Sequence, residues 1–254
     1  MKFLQTTATA LALVVLGACA QIPATPARPS LGSVSPALEK YTQQTLLGDL
    51  WNRPELTPRD RSIVTVAALI SRKDLGELAY HVDKALDNGV KPGELSEILA
   101  HLAFYSGWGN ATAAAGVLAP IFKARGIQTG ALPAATVELL PLDSQAEAAR
   151  VASVDRNVGD AAPGLVKFTS EALFHDLWLR PGLAPRDRSL VTFSSLVATG
   201  QVAQLGYHLN RAMDNGLRRT EASEALAQLA FYAGWPHVFT ALPVVKDVFA
   251  KRSN

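Results

Sequence analysis

Hydrophobic side chains recur along this chain at helical spacing. Nearly every position between Ile63 and Ile70 is apolar, which predicts a helix that is buried on all sides. Downstream, Leu95, Ile98 and Leu102 keep a period close to that of an α-helix, the pattern of a helix with one buried face. No stretch shows a clear strand-like alternation of apolar and polar residues. The sequence therefore predicts an all-α fold.

Local residues predict where these helices begin and end. Thr57-Pro58-Arg59-Asp60 offers an N-cap hydroxyl, a proline at the first helical position and an acid in the first turn. Ala184-Pro185-Arg186-Asp187 keeps the proline and the acid but lacks the hydroxyl. Asn88-Gly89 and Asn215-Gly216 predict helix ends, because glycine tolerates the left-handed backbone that terminates a helix. A last helix of the first half is expected over residues 111–122.

The pattern occurs twice, at an offset of 127 residues and without a gap. Roughly half of the positions in residues 49–108 are identical to their counterparts in residues 176–235. This predicts two tandem helical repeats, residues 36–125 and 163–252, that fold alike and pack as a pseudo-symmetric pair. Residues 126–162 are expected to be a linker with one short helix around residues 145–154.

The N-terminus has the features of a targeting segment. Lys2 is the only charge before residue 28, and an apolar core leads to Leu16-Gly17-Ala18-Cys19. This resembles a bacterial lipobox, so residues 1–18 are predicted to be a lipoprotein signal peptide and Cys19 the lipidated residue. The alternative is an ordinary secretory signal that is cut after a small residue. Residues 19–35 are predicted to be a tether, and the location to be the periplasmic face of the outer membrane.

Composition narrows the functional classes. Apolar residues make up 48% of the chain and charged residues 18%, which indicates a globular protein with a substantial core. The net charge of +2 gives no reason to expect nucleic acid as a partner. No stretch after the leader is apolar for long enough to span a bilayer, so membrane contact is expected through the lipid anchor alone.

Each repeat carries one candidate reactive histidine. Glu77 and His81 are four residues apart, which places both side chains on one face of a helix. In the second repeat, His208 has Gln204 at the corresponding place, and an amide cannot ionise. A buried histidine that is bonded to a backbone carbonyl is the alternative for either residue.

These motifs resemble those of the carboxymuconolactone decarboxylase family, which includes the alkyl hydroperoxidase D-type proteins. The similar residues are Glu77, His81, Asn88-Gly89 and the Phe104-Tyr105-Ser106-Gly107 turn, and most of the set recurs in the second repeat. The resemblance implies an all-α fold, homo-oligomers and cofactor-free decarboxylation of 4-carboxymuconolactone. Thiol peroxidase activity is excluded, because it needs a Cys-x-x-Cys pair and residues 75–81 contain no cysteine.

A Glu/His pair suits such a reaction. Loss of carbon dioxide from a carboxylactone leaves an electron-rich dienolate that must be protonated, and a histidine can deliver a proton near neutral pH. The hypothesis is that His81 is the general acid/base and Glu77 orients it, with His208 as a second catalytic candidate. The competing hypothesis is a non-catalytic binding or scaffold lipoprotein of the same fold.

Other residues are candidates for binding a small, anionic substrate. Arg61 and Arg188 can clamp a carboxylate, or else form internal ion pairs with Asp60, Glu77 or an equivalent acid. Three aromatic residues are expected to wall a pocket for a planar ring or, alternatively, to belong to the core: Tyr105, Tyr232 and Trp235. His81 and His101 lie on different helices without acidic or cysteine companions at ligand spacing, so no metal site is predicted. No cofactor is expected either. His101 is expected to line the pocket or to lie on the surface, and His175 and His237 to be surface residues.

Overall fold

A computed structural model describes residues 31–252 of the chain. The predicted signal peptide, Cys19 and most of the tether lie outside these residues. The described residues form α-helices joined by short 3₁₀ and π turns and contain no strand, as the apolar pattern predicted. The helices are α1 (Pro36–Tyr41), α2 (Pro58–Ser71), α3 (Leu75–Asp87), α4 (Pro92–Ser106), α5 (Trp108–Ala124), α6 (Ser144–Val158), α7 (Pro163–Phe168), α8 (Pro185–Ala198), α9 (Val202–Asp214), α10 (Arg219–Ala233) and α11 (Trp235–Lys251).

Helices α2 and α8 form the centre of the fold. Thr57 caps α2 by accepting a hydrogen bond from the backbone nitrogen of Asp60 at 3.1 Å, whereas Ala184 makes no such bond at the start of α8. Almost every residue of both helices is buried, because the two helices pack against each other and against the rest of their own repeats. One continuous hydrophobic core therefore includes side chains from both repeats.

The Asn-Gly pairs end helices α3 and α9. Gly89 and Gly216 adopt positive φ angles of 89° and 97°, the backbone region that favours glycine. The side-chain amide of Asn88 donates a 2.9 Å hydrogen bond to Ser62 Oγ, and Asn215 makes the same bond to Ser189 Oγ. The asparagines thus fix each helix end against α2 or α8, and the turn keeps the same geometry in both repeats.

Reciprocal ion pairs join the repeats across the pseudo-twofold axis. Arg59 Nη2 lies 2.7 Å from Asp187 Oδ2, and the equivalent Arg186 Nη2 lies 2.8 Å from Asp60 Oδ2. Each carboxylate is buried, so these contacts favour one arrangement of the two helices. The repeats are therefore a pseudo-symmetric pair, as predicted.

The linker packs on the second repeat. Its helix α6 is four residues longer at the C-terminal end than the predicted segment. Arg180 donates hydrogen bonds to the carbonyl oxygens of Ala134 and Ala135, and Leu140 N donates to Leu179 O at 2.8 Å. The segment that joins the repeats therefore also covers part of one of them.

None of the helices between residues 31 and 252 combines the length and the apolar character that a bilayer crossing requires.

Candidate active site

His81 lies on α3 inside an aromatic enclosure. Its ring stacks on Trp51 with 5.9 Å between centroids and 13° between planes, and it meets the edges of Tyr80 and Tyr232 at 5.0 and 4.9 Å. Only 1% of the side chain is exposed. We call Trp51, His81, Gln228 and Tyr232 the first histidine site.

Both repeats build this site. Trp51 and His81 belong to the first repeat, whereas Tyr232 comes from α10 of the second. The indole Nε1 of Trp51 donates a 2.9 Å hydrogen bond to Tyr232 Oη, which fixes the stacking partner of the imidazole. The Lys84 ammonium lies 4.4 Å from the centroid of the Trp51 ring. The site therefore depends on the packing of one repeat against the other.

A second histidine site has the same arrangement, with the roles of the two repeats exchanged. It consists of His101, Tyr105, Trp178 and His208. The His208 ring stacks on Trp178 at 6.1 Å and 12° and meets the edge of Tyr105 at 5.2 Å. Trp178 Nε1 donates to Tyr105 Oη at 2.9 Å. Since the core of each site is the same, the chemical differences between them lie in the substituted positions.

Three substitutions in or beside the two sites change their polar groups. Glu77 of the first site is replaced by Gln204 in the second, Gln228 by His101, and Lys84 by Arg211. His101 is fully buried and is hydrogen-bonded to Thr192 Oγ1 at 2.7 Å. The expectation that it lines the pocket or lies on the surface is therefore wrong. The first site alone combines an imidazole with a neighbouring carboxylate.

Glu77 lies beside His81 and lines a cavity of about 260 Å³. Its Oε2 is 3.9 Å from His81 Nε2, and 44% of its side chain is exposed. The other residues that line the cavity include Leu38, Leu69 and Tyr232. The pair therefore shares a helix face as predicted, but the carboxylate lines the cavity whereas the buried imidazole is not among the residues that line it.

Arg61 and Arg188 are fully buried in internal ion pairs. Arg61 Nη2 donates to Glu224 Oε1 at 2.8 Å, and Arg188 Nη2 donates to Glu97 Oε2 at 2.9 Å. The acids come from the opposite repeat and are neither Asp60 nor Glu77. Neither guanidinium is placed to clamp a substrate carboxylate that arrives from solvent, so the geometry corrects that expectation in favour of the ion-pair alternative.

The aromatic candidates separate into two groups. Tyr105 and Tyr232 contact the histidines, and Tyr232 also lines the cavity beside Glu77. Trp235 is 51% exposed on the surface, where it contacts Phe231 at 4.9 Å between centroids. Trp235 is therefore not a wall of the site, and its expected role in binding a ring is not supported. His175 is exposed, as expected.

Sequence reasoning missed Trp51 and Trp178, which stack on the histidines, and Glu97 and Glu224, which hold the buried arginines. All four recur at the 127-residue offset. An identical Trp or Glu in both repeats was the available signal, but it does not reveal a contact that crosses from one repeat to the other.

Charge is tightly compensated around the sites. Burial alone would raise the pKa of Glu224, but hydrogen bonds from Arg53 and Arg61 outweigh it and hold that pKa below its ordinary value. The same balance, with Arg180 and Arg188, lowers the pKa of Glu97. Both carboxylates therefore remain ionised beside their arginines. Among residues 31–252, no three His, Cys, Asp or Glu side chains are grouped so that they could hold a metal ion.

His208 is held neutral. Burial, followed by the positive charge of Arg211, lowers the pKa of His208 to about 4. A histidine of the unfolded chain has a pKa of about 6.5. Between these two values the unfolded state binds a proton that the folded state does not, so stability falls as the pH drops through this range.

Replacing His208 with glutamine should therefore flatten the acid limb of the stability profile. We expect the wild type to lose about 2 kcal/mol more of its unfolding free energy between pH 7 and pH 5 than the variant does. Urea unfolding followed by circular dichroism at the two pH values measures this difference. Equal losses in the two proteins would show that His208 does not titrate in this way.

Comparison with known proteins agrees with this architecture. The carboxymuconolactone decarboxylase family matches the chain twice, over residues 36–120 and 163–247. The chain is similar to 4-carboxymuconolactone decarboxylase of Acinetobacter baylyi, with 33% identity over 93 residues, 37% of this chain and 69% of that protein. It is also similar to nitrosuccinic acid decarboxylase npaB of Metarhizium robertsii, with 34% identity over 70 residues, 28% of this chain and 49% of that protein.

Proposed function

The chain belongs to the carboxymuconolactone decarboxylase family, and we propose that it catalyses cofactor-free decarboxylation or isomerisation of a small lactone or carboxylic acid. The observation that carries this proposal is the position of Glu77. Its carboxylate lines a cavity of about 260 Å³ and lies 3.9 Å from a buried imidazole. A carboxyl group at the wall of a cavity can give up a proton and take it back without any cofactor, and the imidazole can orient it through one bridging water or after a small movement of the side chain.

The geometry favours a division of roles that differs from the one suggested by the motif alone. Glu77, not His81, is the group that a molecule in the cavity would touch. In this proposal the protonated carboxyl group of Glu77 gives its proton to the carbanion that remains after carbon dioxide leaves. Solvent, which reaches this side chain, then returns a proton to the carboxylate. His81 is a positioning residue, because it acts on the substrate through the carboxylate beside it.

The walls of the cavity fit a substrate with a substantial apolar part. Leu38, Leu69 and Phe231 contribute hydrocarbon surface, and Tyr232 contributes an aromatic ring. Such surroundings disfavour a localised negative charge more than a delocalised one. They would therefore favour loss of carbon dioxide, since this step converts a carboxylate into a delocalised enolate or dienolate.

A substrate panel tests the proposal. Purified protein would be incubated with carboxylactones, enol-lactones and small β-substituted acids while carbon dioxide release and ultraviolet absorbance are recorded. We expect turnover of at least one carboxylated compound without added metal or cofactor. If every compound is recovered unchanged while some bind, the second candidate function is supported instead.

That second candidate is a non-catalytic binding protein of the same fold. The burial of both histidines favours it, since 1% of the His81 side chain and 8% of His208 are exposed. A binding protein needs the cavity but not the proton transfer. Binding without turnover, unchanged when Glu77 is replaced by glutamine, would distinguish it from the enzyme.

The proposal includes location and assembly. Lipidation of Cys19 would anchor the protein on the periplasmic face of the outer membrane, where it would act as a homo-oligomer. Cell fractionation measures the first part: we expect the wild type in the outer-membrane fraction and a Cys19→Ser variant outside it. Light scattering of residues 31–254 measures whether the protein forms a homo-oligomer.

A further inference from the structure

A second cavity, of about 160 Å³, lies between the linker and the second repeat. Leu140, Leu142 and Glu147 line it from the linker side, and Phe174, Trp178 and Arg211 from the second repeat. Because half of its wall comes from the linker, which occurs once in the chain, this cavity is not duplicated. It is separate from the cavity beside Glu77, and the proposed reaction does not use it.

Arg211 contributes a positive charge to this cavity, and its guanidinium forms no ion pair with any residue in the range 31–252. Its guanidinium lies 4.3 Å from the centroid of the Trp178 ring and 5.3 Å from that of Phe174. The Nε atom is buried and has no hydrogen-bond partner within residues 31–252. Because Arg211 lines the cavity, a carboxylate bound there would supply an anionic partner for the guanidinium.

The acidic groups on the same wall are already satisfied. Asp143 caps α6 by accepting hydrogen bonds from the backbone nitrogens of Gln145 and Ala146, both at 3.0 Å. Glu147 is paired with Arg150 at 2.6 Å and with His175 at 2.7 Å. Arg211 is the one cation among the described residues that line this cavity, and neither acid is paired with it.

The remaining wall suits a flat apolar group. Trp178 and Phe174 lie parallel, with 3° between their planes, and the leucines and a proline of the linker face them. A cavity of about 150 Å³ is large enough to hold a benzene ring. Guanidinium groups bind carboxylates through two parallel hydrogen bonds, a geometry that an ammonium group cannot provide.

We propose that this cavity is a binding site for a small planar monocarboxylate, with the carboxylate on Arg211 and the ring against Trp178. The site belongs to the second repeat only. An anionic molecule could bind here to a guanidinium, whereas Arg61 and Arg188 are both enclosed and cannot be reached. The inference does not rest on the proposed decarboxylation, because it concerns binding at a different cavity.

Benzoate is a suitable probe, and benzamide is its neutral counterpart of nearly the same shape. Isothermal titration calorimetry of the purified wild-type protein should give an affinity for benzoate at least about tenfold higher than for benzamide, because only benzoate pairs with the charge. Arg211→Gln should weaken benzoate binding at least about tenfold and leave the affinity for benzamide within about twofold.

Two further variants test whether the effect of Arg211→Gln is specific to this cavity. Ala146 lines the cavity and is exposed, so Ala146→Phe should fill the space and abolish benzoate binding while Arg211 stays in place. Lys84→Gln changes the equivalent position of the first repeat and should leave binding unchanged. Thermal unfolding would establish that each variant is folded.

Three results would overturn the proposal: no benzoate binding at about 10 mM ligand, equal binding of benzoate and benzamide, or unchanged benzoate affinity in folded Arg211→Gln. Loss of benzoate binding in Lys84→Gln would also overturn it, since that result assigns the ligand to the first repeat. None of these measurements requires turnover, so failure of the proposed decarboxylation leaves them interpretable.

Discussion

Replacing Glu224 with alanine is expected to lower the free energy of unfolding by about 3–5 kcal/mol. Glu224 accepts hydrogen bonds from Arg61 and from Arg53. Arg61 is fully buried, whereas 43% of the Arg53 side chain is exposed. The large cost comes from Arg61, because its charge would remain in the interior without a carboxylate partner, while Arg53 can turn to solvent.

Glu97→Ala provides an internal replicate of this experiment. Glu97 occupies the equivalent position of the first repeat and holds the fully buried Arg188 of the second. We expect a loss of the same size, since the two ion pairs are related by the pseudo-twofold axis. Urea unfolding at pH 7, followed by circular dichroism, measures both.

An exposed glutamate is the matched control. Glu171 pairs with Lys167 on the surface, and more than half of each side chain is accessible to solvent. Glu171→Ala should change stability by about 0.5 kcal/mol or less, because exposed ion pairs contribute little. Losses below about 1 kcal/mol for both buried glutamates would mean that water or a rearranged acid compensates Arg61 and Arg188.

These ion pairs also illustrate what the sequence could and could not predict. The apolar run in α2 and its proline start predicted a buried helix, and a charged Arg61 within it left two alternatives, a substrate carboxylate or an internal acid. The partner nevertheless came from the other repeat, 163 residues away. Helical periodicity indicates which face of a helix is buried, but it does not indicate which helix covers that face.

The histidine sites show the same difference between local relations, which the sequence predicts, and contacts between the repeats, which it does not. The spacing of Glu77 and His81 predicted their common helix face, because that relation is local. The enclosure by Trp51 and Tyr232 joins positions 181 residues apart, so it depends on how the two repeats dock. The depth of His81 was consequently not predictable, although it decides which of the two residues faces the cavity. The catalytic roles of His81, Glu77 and His208 remain predictions.

The linker was the least predictable part. Its composition gave a short helix and no indication that residues 134–142 would lie over the second repeat. Contacts such as that of Arg180 with Ala134 O use backbone acceptors, which every residue possesses, and they leave no mark on the sequence. Arg211 was overlooked for a related reason, since its significance lies in what the linker places near it.

The largest functional effect is expected from Glu77→Gln. On any substrate that the panel identifies, we expect this change to lower kcat about 10²- to 10⁴-fold, the range associated with loss of a positioned proton-transfer group. Glutamine preserves the shape and the hydrogen-bonding capacity of the side chain but cannot exchange a proton. Steady-state kinetics together with thermal unfolding would separate this effect from a loss of folded protein.

The second repeat supplies the control, because it already carries the amide at the equivalent position. Gln204→Ala should leave kcat within about twofold of the wild-type value, since the second histidine site has no carboxylate to lose. His81→Asn should reduce kcat less than Glu77→Gln does and should move the pH optimum, because the carboxyl remains but loses its neighbouring imidazole. These three variants therefore distinguish a reaction that is confined to the first histidine site from a reaction that both sites can carry out.

The relative sizes of these effects decide between the two assignments of the proton donor. If His81→Asn abolishes turnover while Glu77→Gln retains more than about half of it, the imidazole reaches the substrate and the cavity must open further than its present walls allow. If neither change affects turnover, acid/base chemistry at this pair is excluded. A dominant effect of Glu77→Gln is the outcome that the proposal predicts, because the carboxylate lines the cavity and lies 3.9 Å from the buried ring, whereas His81 is not among the residues that line the cavity.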